Sequence, residues 1–255
     1  MTVKDTFRLF CMVGLAAAAA CHPPFQPLKF PSTASLYTAS VQQLQKHHWD
    51  NAIAGFEHLS SSLPARDPRM PTSLFDLGKA YQGKGEDLLA AQSYSRVPES
   101  FPTDTLADDA MLAAGQAYAR MWRKPTLDPT YGQTALSTLQ TFLALFPTSP
   151  LRGVAQKEIG RLTEWFAIKD YDTAHLYFRR GAYDSSIIYL KSVVQSYPQT
   201  HAAHDAMVML AEAYRKINYK EELSETCQTL RQRYPHDGDV RDACDGVPKM
   251  AAVVP

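Results

Sequence analysis

The side chains here best able to do chemistry are histidines and cysteines, and their spacing limits what that chemistry can be. His201 and His204 stand three apart with Asp205 beside them, which sets two imidazoles on one helix face as a zinc site would, and His47 and His48 adjoin Trp49. Neither pair has a third ligand at an ordinary spacing, so both are read as helix-terminal, capping or exposed side chains and no metal is expected. Gly83-Lys84-Gly85 lacks the residues of a phosphate loop, and no G-x-S-x-G nucleophile elbow occurs. The chain is therefore expected not to be an enzyme, with no catalytic residue and no cofactor.

The four cysteines divide by position. Lys4 and Arg8 precede an apolar run from Leu9 to Ala20, and Cys21 follows Ala18-Ala19-Ala20. That run is shorter than the roughly 20 residues a membrane span needs and suits the core of an export signal. Small residues directly before a cysteine resemble a lipobox: they fit the signal peptidase, and the Cys21 thiol then takes diacylglycerol and palmitate-type chains. Ala18 stands where leucine is usual, and ordinary cleavage after an A-x-A site is the alternative. The expected layout is a signal over 1–20 and a lipid-anchored tether over 21–31, extended because Pro23, Pro24, Pro27 and Pro31 exclude helix. His22, a non-aspartate after the cysteine, implies sorting to the outer membrane by resemblance to known lipoproteins. With Cys11 lost and Cys21 acylated, Cys227 and Cys244 remain; in an oxidising compartment they can pair, or they stay two thiols on apolar faces.

What positions these residues is a repeat. Leu63-Pro64, Phe101-Pro102, Phe146-Pro147, Tyr197-Pro198 and Tyr234-Pro235 close five segments spaced 38, 45, 51 and 37 residues apart. Counting each proline as offset 32 of a 34-residue unit, the fourth segment puts Ala174, Tyr177, Gly181, Ser186, Leu190 and Val193 at offsets 8, 11, 15, 20, 24 and 27, the tetratricopeptide (TPR) spacing. Small residues at offsets 8 and 20 let two helices approach, large ones fill the layer between, and a glycine at offset 15 takes the turn. Gly78, Tyr81, Gly85, Ala90, Tyr94 and Val97 repeat the pattern, as do Ala211, Tyr214, Asn218, Cys227 and Leu230. One hairpin cannot bury its own apolar face, so the repeats must stack. The predicted fold is an all-α, TPR-like α-solenoid of five helix hairpins over 32–245, followed by a disordered tail over 246–255.

Two segments depart from the unit. In the third, Gly115 and Tyr118 run eight residues ahead of the register set by Pro147, so an insertion falls within 123–132, where Pro125 and Pro129 break the helix and Asp128 or Thr130 can cap the next one. In the fourth, helical pattern starts near Leu151 and runs to Tyr177, a helix of more than 25 residues with a break near Asp170 as the alternative. Lysine plus arginine equals aspartate plus glutamate at 26 each, without a block of like charge, which makes nucleic acid an unsuitable partner.

The lipobox, the five repeats, Leu127-Asp128-Pro129 inside the third, Arg180-Gly181-Ala182-Tyr183, Ser196-Tyr197-Pro198-Gln199-Thr200 and Ala211-Glu212-Ala213-Tyr214-Arg215 together resemble the BamD family, outer-membrane lipoproteins of the β-barrel assembly machinery. The resemblance implies a scaffold at the periplasmic face of the outer membrane, held by its lipid, that docks on the channel BamA beside the other lipoproteins of the machinery and helps deliver and insert unfolded outer-membrane proteins. The basic docking residue that it implies in the second helix of the fourth repeat falls near both Tyr189 and Lys191. A periplasmic TPR adaptor of division or peptidoglycan machinery is the alternative. In a TPR groove the first helix of each hairpin points inward, which selects Tyr37, Val41 and Leu44, then Phe75, Lys79 and Gln82, then Leu112 and Gln116 with Arg120 beyond. Such a lining suits a disordered peptide with an aromatic end, its terminal carboxylate held by Lys79 or Arg120.

Overall fold

The computed structural model describes residues 25–248, so the signal, Cys21 and most of the C-terminal tail lie outside the described residues. All regular structure among the described residues is helical, and none of those helices is long and apolar enough to cross a membrane. The chain divides into two compact units, one up to Gly85 and one from Glu86. The first holds a short 3-10 turn (Pro27–Lys29) and helices α1 (Thr33–Gln45), α2 (Trp49–Ser62) and α3 (Met70–Lys84). The second holds α4 (Asp87–Ser100), α5 (Ala107–Met121), α6 (Thr130–Leu145), α7 (Arg152–Arg179), α8 (Tyr183–Ser196), α9 (His201–Lys216), α10 (Lys220–Arg233) and the short α11 (Gly238–Ala243). In chain order these are five helix pairs and a terminal turn of helix, the all-α TPR-like class.

The proline register ends a helix five times. Leu63, Phe101, Phe146, Tyr197 and Tyr234 are the C-caps of α2, α4, α6, α8 and α10, all with ψ between 48° and 141°. The ring of the following proline forbids the helical ψ at each of them. Each cap N–H still donates to the carbonyl four residues back, on Leu59, Val97, Phe142, Val193 and Leu230. Those five side chains are fully buried, so the place where the helix must stop also fixes which residue faces the core.

The other end of each hairpin is set by a left-handed residue. His47, Gly85, Gly181 and Asn218 all stand at offset 15, with φ of 59°, 86°, 73° and 62°. The residue after each of them, His48, Glu86, Ala182 or Tyr219, caps the next helix with ψ between 63° and 84°. Backbone bonds from His48 to Gln43, Ala182 to Tyr177 and Tyr219 to Tyr214 (2.9–3.1 Å) satisfy carbonyls that the ending helix leaves open. A Cβ added at Gly181 meets no atom within 4 Å, so the requirement there is purely one of backbone.

The third pair replaces this turn with the insertion. Its end is pinned by Trp122, 1% exposed, which lies 4.5 Å from the Phe166 ring and edge-on to Trp165 at 5.5 Å. Gly132 opens the space for it, since a Cβ there would come within 2.1 Å of the indole. Asp128 accepts from the Thr130 N–H at 2.9 Å, while Pro129 occupies the cap position of α6. The 28-residue α7 runs through Asp170 without a break. Its first half supplies Leu162, Trp165 and Phe166 to the Trp122 cluster, and its second half supplies Ala167, Tyr171, Ala174 and Phe178 to the next cluster, around Leu190 and Leu210. Glu164 on α7 also caps α9, accepting from the N–H groups of His201 at 2.9 Å and Ala202 at 3.0 Å.

Where the expected extended tether and the expected disordered tail fall among the described residues, the chain is held in place. In the 21–31 tether, residues from Phe25 onward form a turn packed on the first pair: Pro27 opens a 3-10 turn, for which its fixed φ suits it, and the Phe25 and Phe30 rings meet at 5.4 Å. In the 246–255 tail, Val247 is held, because Arg231 donates to the carbonyls of Cys244 at 2.7 Å and Val247 at 2.9 Å. Arg215 does the same for Ala243 and Asp245 at 2.6 and 3.0 Å. Cys227 of α10 and Cys244 after α11 are disulfide-bonded and fully buried.

Gly181→Val should lower the unfolding free energy by more than about 1 kcal/mol through backbone strain alone, and Gly181→Asn should recover most of that loss, because asparagine tolerates the left-handed region. Urea titrations of the two variants check this; equal stability of the valine and asparagine chains would contradict it.

Candidate functional site

The sequence-selected groove residues fall in both units, and each unit has its own arrangement. In the first, Tyr37 of α1 lies edge-on to Phe56 at 6.3 Å. Burial, with the nearby Asp76 carboxylate, pushes its phenol above the ordinary value. Phe75 is half-buried on α3 and Gln82 is exposed. The Lys79 ammonium sits 4.5 Å above the Phe75 ring and 2.9 Å from Asp76 Oδ1. Asp76 is only 7% exposed, a carboxylate that a lysine one turn along compensates. Lys79, a candidate holder of a client carboxylate, is therefore already paired within its own helix.

Beside this cluster Arg69 grips Asp67 with two bonds, Nε to Oδ1 at 2.9 Å and Nη2 to Oδ2 at 2.6 Å, and reaches Thr33 Oγ1 at 3.3 Å. Those bonds hold the Asp67 carboxyl down at about 2. The i, i+2 spacing in a loop gave no periodic signal, so sequence reasoning passed over it.

In the second unit, Gln116 and Arg120 lie on α5. Arg120 Nε donates to Asp87 Oδ1 at 2.7 Å, so the second expected cation is also paired, with a residue 33 positions away. Leu112, expected in the groove, is instead buried with Leu139 and Trp122. The docking candidates sit on and against α8. Tyr189 stacks on Tyr177 at 5.3 Å with 7° between the rings, leaving it 39% exposed. Lys191 lies 5.7 Å from the Tyr214 ring, and hydrogen bonding to Tyr214 lifts its ammonium above the ordinary value. Ile188, which the sequence reading missed, is the more open residue at 69% exposed; an apolar side chain at a helix position outside the repeat's buried offsets was the available signal.

His47, His48 and His204 have structural partners. His47 stacks on Trp49 at 4.8 Å, and His48 Nδ1 lies 2.9 Å from Gln43 Oε1. His204 is more enclosed than expected, edge-on to Tyr234 at 4.6 Å and with Nδ1 2.9 Å from Asp205 Oδ1. Among the described residues no three histidine, cysteine or carboxylate side chains come together as metal ligands. The arrangement as a whole offers apolar and ion-paired faces on rigid helices, which suits binding to other chains.

The family described as "YfiO: Outer membrane lipoprotein" matches residues 31–230. The outer membrane protein assembly factor BamD of Vibrio cholerae is 25% identical over 240 residues, covering 90% of this chain and 97% of that one. BamD of Neisseria gonorrhoeae is 23% identical over 217 residues, 80% of each chain. Among solved structures, the TPR domain of P58(IPK) covers 83% of this chain and 54% of its own at 12% identity, with a TM-score of 0.45.

The Asp67 pair carries a pH prediction. A carboxylate depressed by the fold contributes stability above its ordinary value of 3.8, and that contribution is lost as pH falls through about 2. The stability difference between the parent chain and Asp67→Asn should therefore be constant at neutral pH and shrink across that acidic window, as read by thermal unfolding at a series of pH values.

Proposed function

This chain belongs to the YfiO family of outer-membrane lipoproteins, and from that membership we propose that it is a lipid-anchored scaffold of outer-membrane β-barrel assembly. Cys21 carries the lipid and the helical region faces the periplasm. A BamA-like channel and the other lipoproteins of the machinery are its partners, and unfolded outer-membrane proteins are its clients. No catalysis is assigned to it. The observation that carries this reading is the family match across most of the chain, with relatives named as assembly factors over 80–90% of its length. The exposed Ile188 beside the stacked Tyr189 and Tyr177 supports a protein-docking role for α8, since tyrosines held rigid at low entropic cost are the usual anchors of an interface.

Cys21→Ala should release the protein from the membrane fraction. A pull-down from detergent-solubilised outer membranes should recover a BamA-like channel with the parent chain and much less with Ile188→Asp at unchanged helicity. Recovery of division or peptidoglycan proteins in its place would favour the envelope-adaptor alternative.

On this reading, client recognition is an exchange at the ion pairs. A client's terminal carboxylate takes the place of Asp76 at Lys79 in the first unit, while its aromatic end uses the Tyr37 and Phe75 surfaces of that same unit; in the second unit a carboxylate takes the place of Asp87 at Arg120. For a precursor C-terminal peptide, Lys79→Ala with Arg120→Ala should weaken binding about tenfold or more, in line with the roughly 1.5–3 kcal/mol of a hydrogen bond to a charged group. Asp76→Asn should tighten it by removing the internal competitor. Equal affinity for free-acid and amidated peptides would remove the carboxylate from this scheme.

A further inference from the structure

Leu28 is the most exposed large apolar side chain among the described residues, at 85%, and the one such residue exposed beyond about a third in the first unit. It is not on a loose strand. Lys29 N–H donates to the Gln26 carbonyl at 3.0 Å and Phe30 N–H to the Pro27 carbonyl at 3.3 Å, closing the 3-10 turn around it. The Phe25 ring clamps that turn onto the first helix pair, its Cε1 lying 3.2 Å from where a Gly55 Cβ would stand, and closes on Phe30 from the other side. A turn this well fixed, whose tip holds an outward leucine followed by an exposed lysine, presents an apolar point and a cation to whatever lies outside.

Chain length says what that is, given the lipidation of Cys21 proposed above. Four residue-to-residue steps lead from Cys21 to the Phe25 clamp, and at no more than about 3.6 Å each they hold it within about 14 Å of the acylated cysteine. We propose that the Leu28–Lys29 tip is a membrane contact: the leucine enters the headgroup and acyl boundary of the leaflet that holds the lipid anchor, and the Lys29 ammonium meets anionic headgroups. Amphipathic points of this kind bind weakly alone and act as a second signal beside a lipid chain. The contact gives the first helix pair a set orientation to the membrane, which a lipid on a free tether would not.

The test uses the full lipidated protein in vesicles of phosphatidylethanolamine and phosphatidylglycerol. Leu28→Cys introduces a free thiol in a chain whose Cys227 and Cys244 are bonded to each other, and an environment-sensitive fluorophore is attached there. The comparison position is Gln45→Cys, exposed at the far end of α1, about 18 Å along the helix axis from its start. A doxyl-bearing phospholipid should quench the probe at 28 at least about twofold more than the probe at 45, with less quenching when phosphatidylglycerol is omitted. Equal quenching at both positions in protein that floats with the vesicles would overturn the membrane contact and leave the lipid anchor intact. Protein that fails to float would overturn the anchor, and the contact with it.

Discussion

Everything regular in this fold depends on a steric clash. A residue before proline cannot hold a helical ψ, and in five places that restriction ends a helix at an apolar or aromatic cap. The cap's last backbone bond reaches one turn back to a fully buried residue, so the stop point and the core position are fixed by the same geometry. A second local rule, a left-handed residue at the hairpin turn, then sets where the chain may reverse. Between the two, the length of the second helix in each pair is hardly free to vary: α2, α4, α8 and α10 are each 14 residues long.

These local rules are why the architecture could be read from the sequence. Proline, glycine and small residues at fixed offsets act within a few residues of themselves and need no tertiary knowledge. The histidine at 47 and asparagine at 218 occupy the same turn conformation as the glycines, although only the register, and not their type, marks His47. The insertion was visible as a slip in that register. Its purpose was not, because Trp122 acquires its meaning from Gly132 and Phe166, which the chain brings together only on folding.

The internal partners of the two groove cations were not legible in the sequence, and for one physical reason. A sequence displays cations at inward offsets but not the carboxylates that fold against them. Asp76 is one turn from Lys79 and could have been weighed with it; Asp87 is 33 positions from Arg120, on the preceding helix, and could not. The prolines of the supposed tether misled in the opposite direction: they exclude α-helix, yet Pro27 is well suited to open a 3-10 turn once Phe25 and Phe30 have apolar surface to cover. On the client recognition proposed above, a bound carboxylate must replace an internal one that is always present at high local concentration, which favours specificity over strength.

The long helix α7 changes what kind of repeat protein the second unit is. In an ordinary array each hairpin touches only its neighbours, and the ends can unravel one repeat at a time. Here one uninterrupted helix belongs to two cores and caps a third element through Glu164, while the disulfide and two arginines tie down the chain after α10. Neither core can melt without uncoiling part of a helix that the other still holds. The segment from α5 to α11 should consequently open as one cooperative block, with few partly unfolded states for a protease to grip.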